Sequence, residues 1–153
     1  MRAIVLMLLF GLSLVAKAET VAQVLALKEP PAGVVFEILA PTQRNWERIE
    51  PKLMQAIEDI KLRFADTSIA VVSHGNEQFA LTRENASRFP QLHESVLNLG
   101  KQGVDVHVCG TYASWRDITP DAFPDYVDVA ASGPAQINDY KALGYILVTD
   151  FAF

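Results

Sequence analysis

Residues 104–115 read VDVHVCGTYASW, and Cys109 within them is the only cysteine in the 153-residue chain. A lone thiol closes no internal disulfide. It is an inert packed side chain, a bridge to a second chain, or a group kept for its chemistry. The reactive form is the thiolate, favoured near a helix N-terminus or a positive charge. After Gly110, the segment TYASWRD can supply one helical turn whose free N–H groups point back at the sulfur. Gly110 itself would let another molecule come close. The competing reading is a small buried hydrophobe, because free cysteine is among the most buried residue types.

Other residues able to join Cys109 lie at comparable places. His74, in SIAVVSHG, can serve as a base or as a hydrogen-bond donor to a sulfur anion, or can simply bond a neighbouring loop carbonyl. His107 and Cys109 are two apart on one predicted strand and so share a face. With His74 they form a nitrogen–nitrogen–sulfur set conceivable for copper or zinc, but no compact ligand motif supports it, and no metal or other cofactor is assigned. Ser132-Gly133-Pro134 places backbone N–H groups and a hydroxyl at a helix start, which suits an anion or an ordinary cap. Asp121, Asp125 and Asp128 lack calcium-loop spacing and read as solvated acids. Tyr112, Trp115, Phe123 and Tyr126 form a local aromatic density fit to roof the cysteine or to meet another subunit. No Gly-x-Ser-x-Gly elbow and no Walker loop occurs.

The elements that must carry these residues follow from periodicity. Apolar, β-branched runs predict strands at Val34–Ala40, Ser68–Gly75, Val104–Gly110, Tyr126–Ala131 and Tyr145–Thr149. Ile49, Leu53, Ile57, Ile60 and Phe64 share one helical face, and Pro51 implies a helix that starts near Ile49 or starts earlier and bends. Phe89, Leu92, Val96 and Leu99 mark a second helix. SGPAQINDYKALG marks a third, with Pro134 at its first position and Gly144 past its end. Strands alternating with helices predict a three-layer α/β/α domain around a mainly parallel five-stranded sheet. In such sheets ligands gather beyond the carboxyl ends of the strands. His74-Gly75, Cys109-Gly110-Thr111 and Ser132-Gly133 are then all on one rim. Cys109 and His74 are the chemical candidates, and Gly75, Gly110, Thr111, Ser132 and Gly133 the binding candidates.

Residues 1–18, MRAIVLMLLFGLSLVAKA, have a positive start, an apolar run and a small-x-small ending, the three parts of a cleavable secretory signal. The run from Ala3 to Val15 is shorter than the roughly 20 apolar residues that span a bilayer. An uncleaved anchor is the alternative. No cysteine follows the run, so it is not a lipoprotein signal. Cleavage after Ala18 would place the protein in the periplasm or outside the cell. It would also remove Arg2 and Lys17, making a chain of formal charge −5 more acidic still. That acidity, without basic runs, argues against nucleic acid and against anionic membrane surfaces as partners. Residues 19–33 read as a loosely held lead-in ending in the turn Pro30-Pro31-Ala32-Gly33, and 34–153 as one domain.

At VHVCGTYASW and DVAASGPAQINDYKALGYILV the sequence resembles the DsrE-like family (the DsrE, DsrF and TusD type), small α/β proteins of sulfur relay. The agreement lies in the order of features: His-Gly ending the second strand, cysteine ending the third, glycine opening the last helix, and LGY leading into the last strand. It runs from about Val34 to Val148. The resemblance implies that Cys109 accepts a persulfide from a donor and passes it to an acceptor, either of them a protein or a small sulfur compound. It also implies a homo-oligomer. The export signal departs from the cytoplasmic members of the family and argues against a role in tRNA thiolation. The alternatives are an oligomeric module that binds a small anion or a partner with an incidental Cys109, and an exported thiol enzyme in which His74 is the base.

Overall fold

The computed structural model describes residues 19–153. The predicted export segment, residues 1–18, lies outside the described residues. Five parallel strands form one sheet in the order β4-β3-β2-β1-β5. They are β1 (Gly33–Leu39), β2 (Ser68–Ser73), β3 (Val104–Cys109), β4 (Asp128–Ala130) and β5 (Tyr145–Ala152). The helices are α1 (Val21–Leu25), α2 (Trp46–Arg63), α3 (Pro90–Lys101), α4 (Gly110–Ser114) and α5 (Gly133–Ala142). Among the described residues no helix is long and apolar enough to cross a membrane. The α/β architecture expected from the alternating pattern is the one observed.

Strand order explains the layers. From β1 through β4 each strand is added on the same side, so right-handed crossovers place α2 and α3 together on one face. The last connection runs the opposite way, from β4 across the sheet to β5. The same handedness therefore puts α5 on the other face. The main core is built on the first face. Val34, Phe36, Ile38, Val71, Val106 and Val108 from the strands meet Ile49, Leu53, Ile57 and Ile60 of α2 and Leu92, Val96 and Leu99 of α3. A smaller core of Val35, Ala70 and Val72 is covered by Ile137 and Tyr140 of α5. Both faces of β1 and β2 are thus buried, which is why their sequences are continuous apolar runs rather than alternating ones.

Two expectations need correction. Residues 19–33 are not a loose lead-in. Glu19 pairs with β5, its N–H donating to Leu147 O at 2.8 Å and its C=O accepting from Thr149 at 3.3 Å. Thr20 and Gln23 then form a capping box that starts α1, and Val24 is fully buried against the main core. The fourth strand shortens to Asp128–Ala130, because Pro124 to Val127 closes a turn through the bond from Val127 N–H to Pro124 O. Of the two starts left open for α2, the earlier is the one observed: the helix begins at Trp46, behind a 3-10 turn at Gln43–Asn45, and Pro51 lies inside it.

Candidate functional site

Cys109 ends β3 and is also the N-cap of α4, with extended backbone angles (φ −87°, ψ 108°). The chain turns there into the short helix expected from TYASWRD, and Tyr112 N–H donates to Cys109 Sγ at 3.4 Å. The thiol is 4% exposed. One strand partner is missing beside it, because β2 pairs with β3 only as far as Ser73 opposite Val108. The side-chain amide of Gln78 fills the gap. Its Oε1 accepts from Cys109 N–H at 2.8 Å, and its Nε2 donates to Cys109 O at 3.2 Å. On the other side β4 continues the sheet, with Ala130 opposite Cys109.

His74 follows directly on β2. Its N–H donates to Ile38 O at 3.0 Å, and its Nε2 lies 2.9 Å from Glu37 Oε1 on the neighbouring strand. Where Nε2 donates to the Glu37 carboxylate, Nδ1 is the ring nitrogen left over. Beside Glu37 the register between β1 and β5 shifts by one residue, the extra residue lying in β5. Sequence reading passed over Glu37, although a single acid inside the buried run VVFEILA was a usable signal.

Gly133, at the start of α5, brings the two candidates together. A Cβ built on it would lie 2.6 Å from His74 Cβ and 3.3 Å from Cys109 Cβ. Both side chains therefore border the N-terminus of α5. Within that first turn Pro134 has no N–H, and Ala135 N–H is taken by Ser132 Oγ at 3.4 Å. That leaves the Gly133 amide as the remaining N–H donor of this first turn.

The other predicted binding residues lie on the same rim and hold the fold there. Thr111 caps the end of β4 through Oγ1 and N–H to Ala131 O, at 2.7 and 3.0 Å. A side chain at Gly110 would meet Ala130 O at 2.9 Å, so the close approach this glycine permits is that of the neighbouring strand. Gly75 is packed against Ala40 and Glu77. Glu77 is fully buried and accepts three hydrogen bonds: from Ala40 N–H at 2.7 Å, Ser73 Oγ at 2.8 Å and Gly75 N–H at 2.9 Å. Glu77 and Gln78 thus tie together the carboxyl ends of β1, β2 and β3. No local pattern in the sequence marks them out.

His107 shares the α5 face with Cys109, as expected, but is engaged elsewhere. Its Nε2 lies 2.8 Å from Tyr140 OH, which donates to Asp105 Oδ2 at 3.2 Å. Burial lowers the pKa of His107, while the charges of Asp128 and Asp105 act against that shift. Burial, with Asp105 close by, raises that of Tyr140 and keeps it a phenol. Among the described residues no group of three or more histidines, cysteines or acids is placed to hold a metal ion. A groove of about 570 Å³ runs between α4 and β4, lined by Thr111, Ala113, Ile118, Val129 and Ala131 among others. Cys109 and His74 do not line it.

No family model matches the chain, and no curated protein matches it. Among solved structures it is similar to MTH1491 of Methanobacterium thermoautotrophicum, described as a protein of unknown function. The identity is 22%, the match covers 76% of this chain and 96% of the other, and the TM-score is 0.64. At that identity the likeness concerns the fold.

Proposed function

We propose that this protein is an exported, DsrE-like sulfur carrier in which Cys109 holds a persulfide. The observation that carries the proposal is the setting of the sulfur. The chain's one thiol ends a strand on the carboxyl rim, accepts an N–H from Tyr112, and shares the N-terminus of α5 with His74. A carrier needs one thiolate and nearby donors for the anion, with no second cysteine and no metal. In the loading step the Cys109 thiolate attacks the outer sulfur of a donor persulfide, R–S–SH. The S–S bond of the donor breaks, Cys109–S–SH forms, and RS⁻ leaves. An acceptor thiolate then attacks the outer sulfur and releases the Cys109 thiolate, so the cycle needs no external oxidant. His74, braced by Glu37, serves as a hydrogen-bond donor to the sulfur anion. Because the thiol is 4% exposed, the donor is a small sulfur compound or the end of a slender segment of a partner protein.

Export and self-association belong to the same proposal. Cleavage after Ala18 leaves Glu19 as the first residue, already hydrogen-bonded to β5, so the domain keeps every described contact. Self-association rests on the family resemblance, and size-exclusion chromatography with light scattering tests it.

Intact-protein mass spectrometry tests the carrier. After polysulfide treatment, wild-type protein should gain about 32 Da per added sulfur, removable by reductant, and Cys109→Ser should gain nothing. The absence of an adduct on a thiol that small alkylating agents still reach would remove the proposal. The burial of Cys109 favours a second reading, an anion- or partner-binding module with an incidental thiol. In that case Cys109→Ser keeps its ligand.

A further inference from the structure

We infer that Gln78 is the positioning residue of Cys109, an assignment that rests on the carrier reading for its consequence but not for its geometry. Gln78 is fully buried, and both ends of its amide are spent on one residue, the N–H and the C=O of Cys109. This is the pairing a further residue of β2 would have made, had the strand not ended at Ser73. A side-chain amide here supplies what the sheet no longer can. It fixes the backbone angles of Cys109, and those angles decide whether Sγ meets Tyr112 N–H.

The neighbours of Gln78 extend the same clamp. Asn76 Oδ1 accepts from Tyr112 OH at 2.9 Å and from Arg116 at 2.7 Å, tying the far side of α4 to the same segment. Glu77 anchors that segment to the ends of β1 and β2. Residues 76–78 therefore hold Cys109 and its capping helix against a rigid base. Of the three, only Gln78 touches the cysteine backbone through its side chain. An apolar residue of equal length would fill the space, yet it would leave the cysteine N–H and C=O unpaired in the interior.

The test compares Gln78→Met with a destabilising substitution remote from the site, Ile60→Val in α2, each at a temperature where it is fully folded. The readout is the rate of persulfide formation on Cys109 with polysulfide. A role confined to stability predicts equal rates for the two variants. Positioning predicts that Gln78→Met is at least ten-fold slower than wild type, with Ile60→Val within two-fold of it. Should Gln78→Met fail to fold, Gln78→Glu takes its place. It keeps an acceptor for Cys109 N–H and sets an oxygen against Cys109 O, and the expected loss is at least three-fold. Rates within two-fold of the Ile60→Val control would overturn the assignment. If wild type takes up no persulfide, the carrier reading fails on its own, and iodoacetamide alkylation of the folded protein decides. A departure of more than three-fold from the control then upholds the positioning role, and equality ends it.

Discussion

At the scale of single residues, the site rests on buried polar groups whose partners are almost all backbone. Glu77 shows the energetics. Its three hydrogen-bond donors, on Ala40, Ser73 and Gly75, come from the ends of two strands and the loop between strand and helix. Glu77→Leu would strand all three away from water. Each unsatisfied group costs about 1–3 kcal/mol, so the variant should lose at least about 3 kcal/mol in urea unfolding. A loss below about 1 kcal/mol would mean that water reaches these groups. His74 calls for a kinetic measurement instead. A thiolate attacking sulfur needs little proton transfer, so a carrier should tolerate His74→Ala with less than about a ten-fold drop in persulfide formation. A general base typically contributes 10²–10⁴-fold, and a loss of that size would turn the reading toward a thiol enzyme. Cys109 and His74 could be named from sequence because thiol and imidazole at the ends of apolar runs are visible locally. Glu37 shows locally only as an acid inside an apolar run, whereas Glu77 and Gln78 reach Ala40 and Cys109, far away in the chain, and no window around them shows that.

At the scale of elements, α5 is the part that closes the site, and its first residue sets how closely it can lie. Gly133 has a conformation open to other residues, so its constraint is space alone. A methyl group there would collide with His74 Cβ, and His74 is held by Glu37 and by Ile38 O. Gly133→Ala should therefore lift the start of α5, cost about 1–3 kcal/mol and change the alkylation rate of Cys109. Gly100 in α3 is the matched contrast, with nothing within 4 Å of its missing Cβ. Gly100→Ala should be neutral or stabilise by about 0.5–1 kcal/mol, leaving Cys109 unchanged. Thermal melts of the two variants decide, and equal effects would show that α5 adjusts freely. The main helices and strands were legible because their apolar spacing is strong and continuous. The region around residues 19–33 was not, since its order comes from pairing with β5 at the other end of the chain.

At the scale of the whole molecule, the two faces of the sheet are unequal. One is covered by α1, α2 and α3 over a large core, whereas the other depends on α5 and a small one. Next to that small core α5 makes a polar contact, from Tyr140 to His107 and Asp105. This arrangement gives the fold a direction in pH. Burial holds the pKa of His107 below its usual 6.5, with the carboxylates of Asp128 and Asp105 only partly offsetting the effect. Between the folded value and 6.5 the unfolded chain therefore binds more protons than the folded one. Stability rises with pH across that window and is lost as pH falls through it. The slope stays well under the ceiling of about 1.4 kcal/mol per pH unit for one proton, because the ring is partly solvated. His107→Gln keeps a polar partner for Tyr140 and removes the titration. Urea unfolding between pH 7.5 and 5 should show wild type losing stability faster than this variant as the pH drops, with the general acid titration common to both. Parallel curves would mean that the environment of His107 does not oppose its charge. A wild type that gains on the variant in acid would mean that Asp105 and Asp128 outweigh burial, and that α5 is held down by an ion pair rather than by a neutral contact.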